Sequence, residues 1–345
     1  MRLIALSALL LLAAAQAFAD SQEGAVTQMR EACAKSDMPQ ARIDACTGFI
    51  EAVRPQGREL AQALYQRGAG HAARGDYDTA VQDFTQALKF APNSTDALYN
   101  RGGAYARLGR WNEALADYDK LLQVAPNDAD THYARAWVHA QLGKDKAAIA
   151  DLDRVIERAP DDQEALLDRG GLNIRAGRYD AAIRDFGRLL ELDPKAAAAA
   201  YNRGRAHYAK QDFKNAAADF ALALKLRADN PYAALRLHLA QSHLGKADSA
   251  VLKKGIDTLD PMIWPRPLLE LFAGTGTDPA LIAGINELPP EQRADVLCEA
   301  QYYLGERALL KGEKKKARDY FAAAAGGAST AIEHIDAKAA LARVK

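Results

Sequence analysis

Three histidines, His71, His139 and His207, are separated by equal intervals of 68 residues. An imidazole can ligate zinc or act as a general base near neutral pH. For either task it needs company. A metal draws its ligands to within about 2 Å, and a base needs a reacting proton in hydrogen-bond reach. The usual companions are missing: the chain contains no Gly-rich phosphate loop, no His-Glu-x-x-His and no Gly-x-Ser-x-Gly. Half the histidine interval, 34 residues, brings more side chains into phase. Arg67, Arg101, Arg135, Arg169 and Arg203 follow it, as do Asp83, Asp117, Asp151, Asp185 and Asp219. So do Tyr65, Tyr99, Tyr133 and, after Leu167, Tyr201. Repeated charge pairs suit bonding within a structure. A repeated aromatic suits recognition, because its ring brings large rigid area with few rotors to freeze. The chemistry on offer is binding, and no enzyme activity is expected.

The elements that must position these side chains are visible in the same period. With Ala61, Thr95, Ala129, Gln163 and Ala197 as first positions, position 8 is Gly68, Gly102, Ala136, Gly170 and Gly204. Position 20 is Ala80, Ala114, Ala148, Ala182 and Ala216, and position 24 is Phe84, Tyr118, Leu152, Phe186 and Phe220. Position 32 is Pro92, Pro126, Pro160, Pro194 and then Ala228. Residue types and period resemble the tetratricopeptide repeat (TPR) over residues 61–230. That resemblance implies two antiparallel helices, A and B, per unit. Small residues at positions 8 and 20 let the axes approach to the lower end of the usual ~8–10 Å range. Gly75, Gly109, Gly143 and Gly177, and later Gly245, end helix A where the chain turns through left-handed geometry. Proline at position 32 stops helix B. The fold expected is all-α, a right-handed α-solenoid of TPR hairpins with a C-terminal capping helix, cooperative over at least about three units.

On this frame the arginines fall at position 7 and the aspartates at position 23, on helices that touch. They are expected to form a structural Arg–Asp ladder, the planar guanidinium fork matching a carboxylate. The three histidines fall at position 11 of alternate units, ~20 Å apart for stacked hairpins. They cannot share an ion, and neither a metal nor a cofactor is expected.

In a TPR array the concave wall is lined by helix A positions 2, 5, 9, 12 and 13. Here they would present Tyr65, Tyr99, Tyr133 and Tyr201 at position 5, Trp137 and Arg205 at position 9, and Arg107 and Arg175 at position 13. This predicts an aromatic and basic groove for protein or peptide partners. The alternative for the tyrosines is half-buried packing. Trp137 is the sharper candidate, since a large ring at an otherwise small position protrudes. TPR clamps that hold a C-terminal carboxylate use Lys at position 5 and Asn at position 9, and this chain has neither. An internal or extended segment, or a folded partner's surface, is expected instead.

The chain's ends add a compartment. Residues 1–19 combine Arg2, an apolar run from Leu3 to Ala15 and the small-x-small Ala17-Phe18-Ala19, the pattern of a cleaved secretory signal. The alternative is an uncleaved anchor, but the run is short of the ~20 residues a spanning helix needs. Cleavage would leave 44 basic side chains, one fewer than the full 45, against 45 acidic. Such a balance gives no electrostatic reason to bind nucleic acid. The basic triplet Lys314-Lys315-Lys316 reads as a solvated helix start. Residues 20–60 read as a degenerate hairpin with Cys46 at position 24 and Cys33 at position 11, which face each other in a TPR. A Cys33–Cys46 disulfide is predicted, worth on the order of 3 kcal/mol in the chain-entropy model, the alternative being two buried thiols. Cys298 is left over, as a small buried side chain or an intermolecular bridge.

Beyond residue 230 the pattern loosens. His238 takes position 8 and Lys254 position 24, and residues 260–290 hold six prolines. Gly305, Gly312, Ala317 and Phe321 restore the intervals of one more hairpin, with a last amphipathic helix from Ala331 as cap. The domains expected are 1–19, 20–60, five repeats (61–94, 95–128, 129–162, 163–196 and 197–230), a degenerate segment 231–297, and a hairpin with cap over 298–345. Trp264, the run from Leu268 to Gly274, and Glu299-Ala300-Gln301-Tyr302-Tyr303-Leu304-Gly305 are similar to NlpI-type periplasmic TPR proteins. That resemblance implies a non-catalytic, homodimeric scaffold bringing cell-wall hydrolases and a protease together. Unlike that family, this chain has no lipid-bearing cysteine at the cleavage site. The expectation is a soluble periplasmic adaptor. The alternative is a structural assembly factor of an envelope or secretion complex that works through its outer surface.

Overall fold

The computed structural model describes residues 23–257, 259, 264–327, 329 and 331–344; the expected signal segment, residues 1–19, lies outside them. The described residues form helices and turns, with no strand among them. The chain divides into two compact units, one ending at Arg158 and one beginning at Ala159.

The first unit is a stack of helix hairpins: α1 (23–35), α2 (Pro39–Val53), α3 (Gly57–Ala73), α4 (Tyr77–Phe90), α5 (Thr95–Arg107), α6 (Trp111–Val124), α7 (Ala129–Gln141) and α8 (Asp145–Arg158). A disulfide joins Cys33 to Cys46 in the terminal hairpin, and both residues are buried against Phe49 and Ala63. The hairpins close on the small position. A Cβ added to Gly68 would lie 2.9 Å from the Phe84 ring, and one added to Gly102 would lie 2.7 Å from Tyr118. Where position 8 carries a Cβ, in Ala136, position 24 is the smaller Leu152.

The second unit opens with α9 (Gln163–Arg175), α10 (Tyr179–Leu192), α11 (Ala197–Ala209) and α12 (Phe213–Leu226). Gly170 and Gly204 repeat the contact with Phe186 and Phe220. Then follow α13 (Pro231–His243), α14 (Ala250–Asp257), α15 (Arg266–Ala273), α16 (Asp278–Glu287), α17 (Pro290–Leu310), α18 (Lys314–Gly326) and α19 (Ile332–Arg343). The expected boundary at 297/298 falls inside α17, because Pro290 starts that helix at its first turn, where a missing N–H costs nothing. Gly305 and Phe321 rebuild the contact between α17 and α18. Cys298 is a buried free thiol directed at the Ala324 carbonyl.

Two further details also follow the period. Position 34 caps helix A: Ser94, Asp128, Asp162 and Asn230 accept a bond from the backbone N–H three residues on, and Ala196, which cannot, marks the lapse. The left-handed turn after helix A is Gly109 at φ 71°, but Gln211 fills that turn in the fifth repeat at φ 63°. A side chain there carries a strain of about 1 kcal/mol.

All five ladder pairs form as two-pronged forks. In the first unit Arg67–Asp83, Arg101–Asp117 and Arg135–Asp151 each have a shortest contact of 2.6 Å. In the second unit Arg169–Asp185 and Arg203–Asp219 close to 2.6 and 2.7 Å. Every aspartate is buried. Asp151 is held twice, since His132 Nδ1 lies 2.8 Å from its Oδ1. Arg101→Ala is therefore expected to strand Asp117 and cost about 3 kcal/mol, while Arg135→Ala leaves Asp151 its histidine and costs less. Denaturant melts of the two variants check the ranking, and equal losses would show that His132 does not share that charge.

Candidate protein-binding surfaces

In the first unit the A helices α3, α5 and α7 are neighbours, and the position 5 tyrosines of α3 and α5 meet the ring of position 24 behind them. Tyr65 lies 5.9 Å from Phe84 and Tyr99 lies 6.1 Å from Tyr118, centroid to centroid. Tyr65 and Tyr99 thus each pack with one side of the ring and leave part of the other exposed. Tyr99 is 37% exposed, and Tyr65 and Tyr133 are half-buried. Trp137 is 44% exposed, propped edge-on by Trp111 at 5.6 Å. Arg107 is exposed at the end of α5.

The charge of this wall differs from the basic groove expected. Asp96, Tyr99 and Asn100 of α5, Leu121 of α6, and Asp128 and Asp130 at the start of α7 surround a cavity of about 310 Å³. Asn100 Nδ2 donates to the Tyr65 hydroxyl at 3.4 Å and so ties α5 to α3. Burial first, and then Asp130 and Asp128, push the Tyr99 hydroxyl above its ordinary pKa. Burial and Asp96 do the same for Tyr65. The aspartates come from positions 2 and 34. Position 2 is a groove position, so reading its residues would have revealed the acidic character.

The second unit treats the same wall differently. Tyr201 is half-buried against Phe220 at 5.7 Å, and Arg175 is exposed at the end of α9. Arg205 is not presented to a partner. It is 7% exposed, and its guanidinium bonds Asp336 of α19 at 2.9 and 3.3 Å. Arg236 on α13 reaches Asp336 at 2.7 Å and Glu333 at 2.9 Å, and Tyr303 donates to Glu333 at 3.2 Å. Arg343 at the end of α19 donates to the Tyr208 carbonyl at 3.3 Å and to Glu306 at 3.4 Å. The groove expected here is filled by the chain's own last helices, because their carboxylates meet arginines that the repeat projects from α11 and α13. The helix read as a cap is also the occupant.

Three carboxylates here titrate unusually. Desolvation works against the charge of Glu306, but His243, Arg343 and Tyr208 outweigh it and hold its pKa below the ordinary range. Asp336 behaves likewise under Arg205 and Arg236. Glu299 goes the other way. Its Oε2 accepts from Trp264 Nε1 at 2.6 Å and from the Tyr232 hydroxyl at 3.0 Å. Burial, reinforced by Glu333, nevertheless raises its pKa from 4.5 to about 7. A folded-state pKa above the unfolded one means that this group's contribution is full below pH 4.5 and is lost as pH rises through about 7. The loss is at most about 3 kcal/mol. Glu299→Gln keeps the acceptor oxygen without the charge. Its melting temperature is expected to overtake wild type as pH rises from 5 to 8; parallel pH curves for the two chains would refute the assignment. Asp336 and Glu306 lose their contributions only in acid, below this window.

The recurring unit has counterparts in other proteins. Residues 68–136 and 111–167 match one tetratricopeptide repeat family, and residues 167–234 match a second. No curated protein matches the chain. Among solved structures, YrrB, described as a TPR protein with an unusual peptide-binding site, superposes with a TM-score of 0.50 at 24% identity, over 55% of this chain and 96% of that one. The C-terminal part of a TPR repeat-containing protein from Cytophaga hutchinsonii superposes with a TM-score of 0.51 at 15% identity, over 79% and 98% of the two chains. At these identities the likeness is one of fold. Among the described residues no helix is long and apolar enough to cross a membrane. The 34-residue register, the stacked hairpins and these matches make the chain a tetratricopeptide-repeat protein.

Proposed function

We propose that this protein is an exported, non-catalytic adaptor that binds protein segments on the A-helix wall of its first unit. The observation that carries the reading is the set of half-presented rings there, Tyr65, Tyr99, Tyr133 and Trp137, beside a cavity of about 310 Å³ edged by Asp96, Asp128 and Asp130. Rigid aromatics of this kind are the usual anchors of binding hot spots. The aspartates favour an extended segment that carries lysine or arginine. YrrB shares the fold, and its description names a peptide-binding site. Arg107, and Arg175 in the second unit, stand as further contacts.

Export fits the Cys33–Cys46 bond, since such bonds persist in oxidising compartments. The signal-like residues 1–19 and the likeness of the C-terminal third to NlpI-type proteins support a periplasmic reading. There it would gather cell-envelope hydrolases or proteases, as a homodimer if the likeness extends that far. Pull-down from periplasmic extract, wild type against a Tyr133→Ala, Trp137→Ala double variant, tests the wall. Loss of two hot-spot rings is expected to cut capture at least ten-fold without lowering the melting temperature appreciably. Capture is also expected to weaken as salt rises. Undiminished capture by the folded variant would reject this surface.

A further inference from the structure

The second unit covers its own A-helix wall. Helix α19 packs on α18 and α17 and reaches α11, and its Glu333 bonds Arg236 of α13. It covers Tyr201, Arg205 and Arg236, residues on the A-helix side of the fifth and sixth repeats. In the first unit the equivalent position 5 and position 9 residues, Tyr99 and Trp137 among them, stand partly exposed.

The manner of holding is unusual for a core helix. Glu333, Asp336, Ala337 and Ala340 are the residues α19 buries most deeply. Ala337 and Ala340, with Val344 just beyond the helix, join the apolar core of the second unit. The polar part of the grip is ionic, with Arg236 between Glu333 and Asp336, and Arg205 forked onto Asp336. Buried pairs of this kind give back much of their attraction in desolvation, but they demand a matching geometry from whatever replaces them. Ala216, Phe220, Leu235 and Leu239 beneath the wall are fully buried.

We propose that this wall is a binding site for an acidic partner helix, and that α19 is its exchangeable resident. The guest chemistry is that of α19 itself: two carboxylates one turn apart, as in Glu333 and Asp336, meeting Arg236 and Arg205, followed by small residues that let the helix lie close, as Ala337 and Ala340 do. The Tyr302 and Tyr303 rings, 5.2 and 5.7 Å from the Arg236 guanidinium, brace the arginine that reads the pair. A guest with one carboxylate, or with bulky residues one turn on, leaves an arginine stranded or clashes. This site is separate from the first unit's wall and does not rest on the function proposed for it.

The test uses the full chain and a labelled peptide of residues 331–344. In the E333Q, D336N variant the resident is weakened, and the peptide is expected to bind at least ten-fold more tightly than to wild type. The same peptide carrying E333Q and D336N is expected not to compete. Equal binding to both chains, or equal competition by the uncharged peptide, overturns the proposal. Should the variant not fold, amide exchange on wild type decides. Exchange of α19 a hundred-fold faster than that of α11 and α13 supports an exchangeable helix, and exchange only with global unfolding overturns it. A stable wild-type dimer with α19 donated to a second copy also overturns it in favour of self-exchange.

Discussion

The structure depends on one contact, a residue without a bulky side chain held against a flat ring. Gly102 on Tyr118, Gly170 on Phe186 and Gly305 on Phe321 leave no room for even a methyl group. The closeness of that approach fixes everything beside it. Position 7 precedes the small residue by one, and position 23 precedes the ring by one. Bringing the first pair into contact therefore brings Arg101 and its counterparts within fork distance of Asp117 and its counterparts. The ladder is a consequence of helix spacing as much as a cause of it. It penalises any slip of one helix along another, since a shifted aspartate would be buried without its partner.

Where the contact fails, the fold changes character. His238 and Lys254 stand where a small residue and a ring should be, and helix α14 is only 8 residues long. Short helices follow until α17, where Gly305 and Phe321 restore the pair. The detour turns α17 and α19 onto the A-helix side of α11 and α13. There, side chains that would otherwise face a partner become internal. Tyr208 donates to the buried Glu306, Tyr232 to Glu299, and Arg205 and Arg236 hold α19. A polar network of this depth is stable only because nearly every carboxylate in it has a charged or hydroxyl partner.

The two units thus use one repeat chemistry in two ways. The first leaves aromatic edges and aspartates open on its A-helix wall. The second answers its own arginines with the chain's last carboxylates.

What the amino-acid order determined by itself was whatever recurs. Helix pairs, their turns, the ring contact, the Arg–Asp forks and the Cys33–Cys46 pairing all follow from residue types at a constant interval, because each contact is local or lies one repeat away. The tyrosine stripe and Trp137 were legible for the same reason, and the acidic cavity was present at position 2 for anyone reading that column. Tertiary structure alone decided the rest. Arg205 and Asp336 are 131 residues apart, and no periodicity links them. Their meeting depends on how an irregular segment bends the chain back. Whether a repeat's wall is open or occupied is therefore a property of long-range closure, which a repeating sequence does not encode in any single unit.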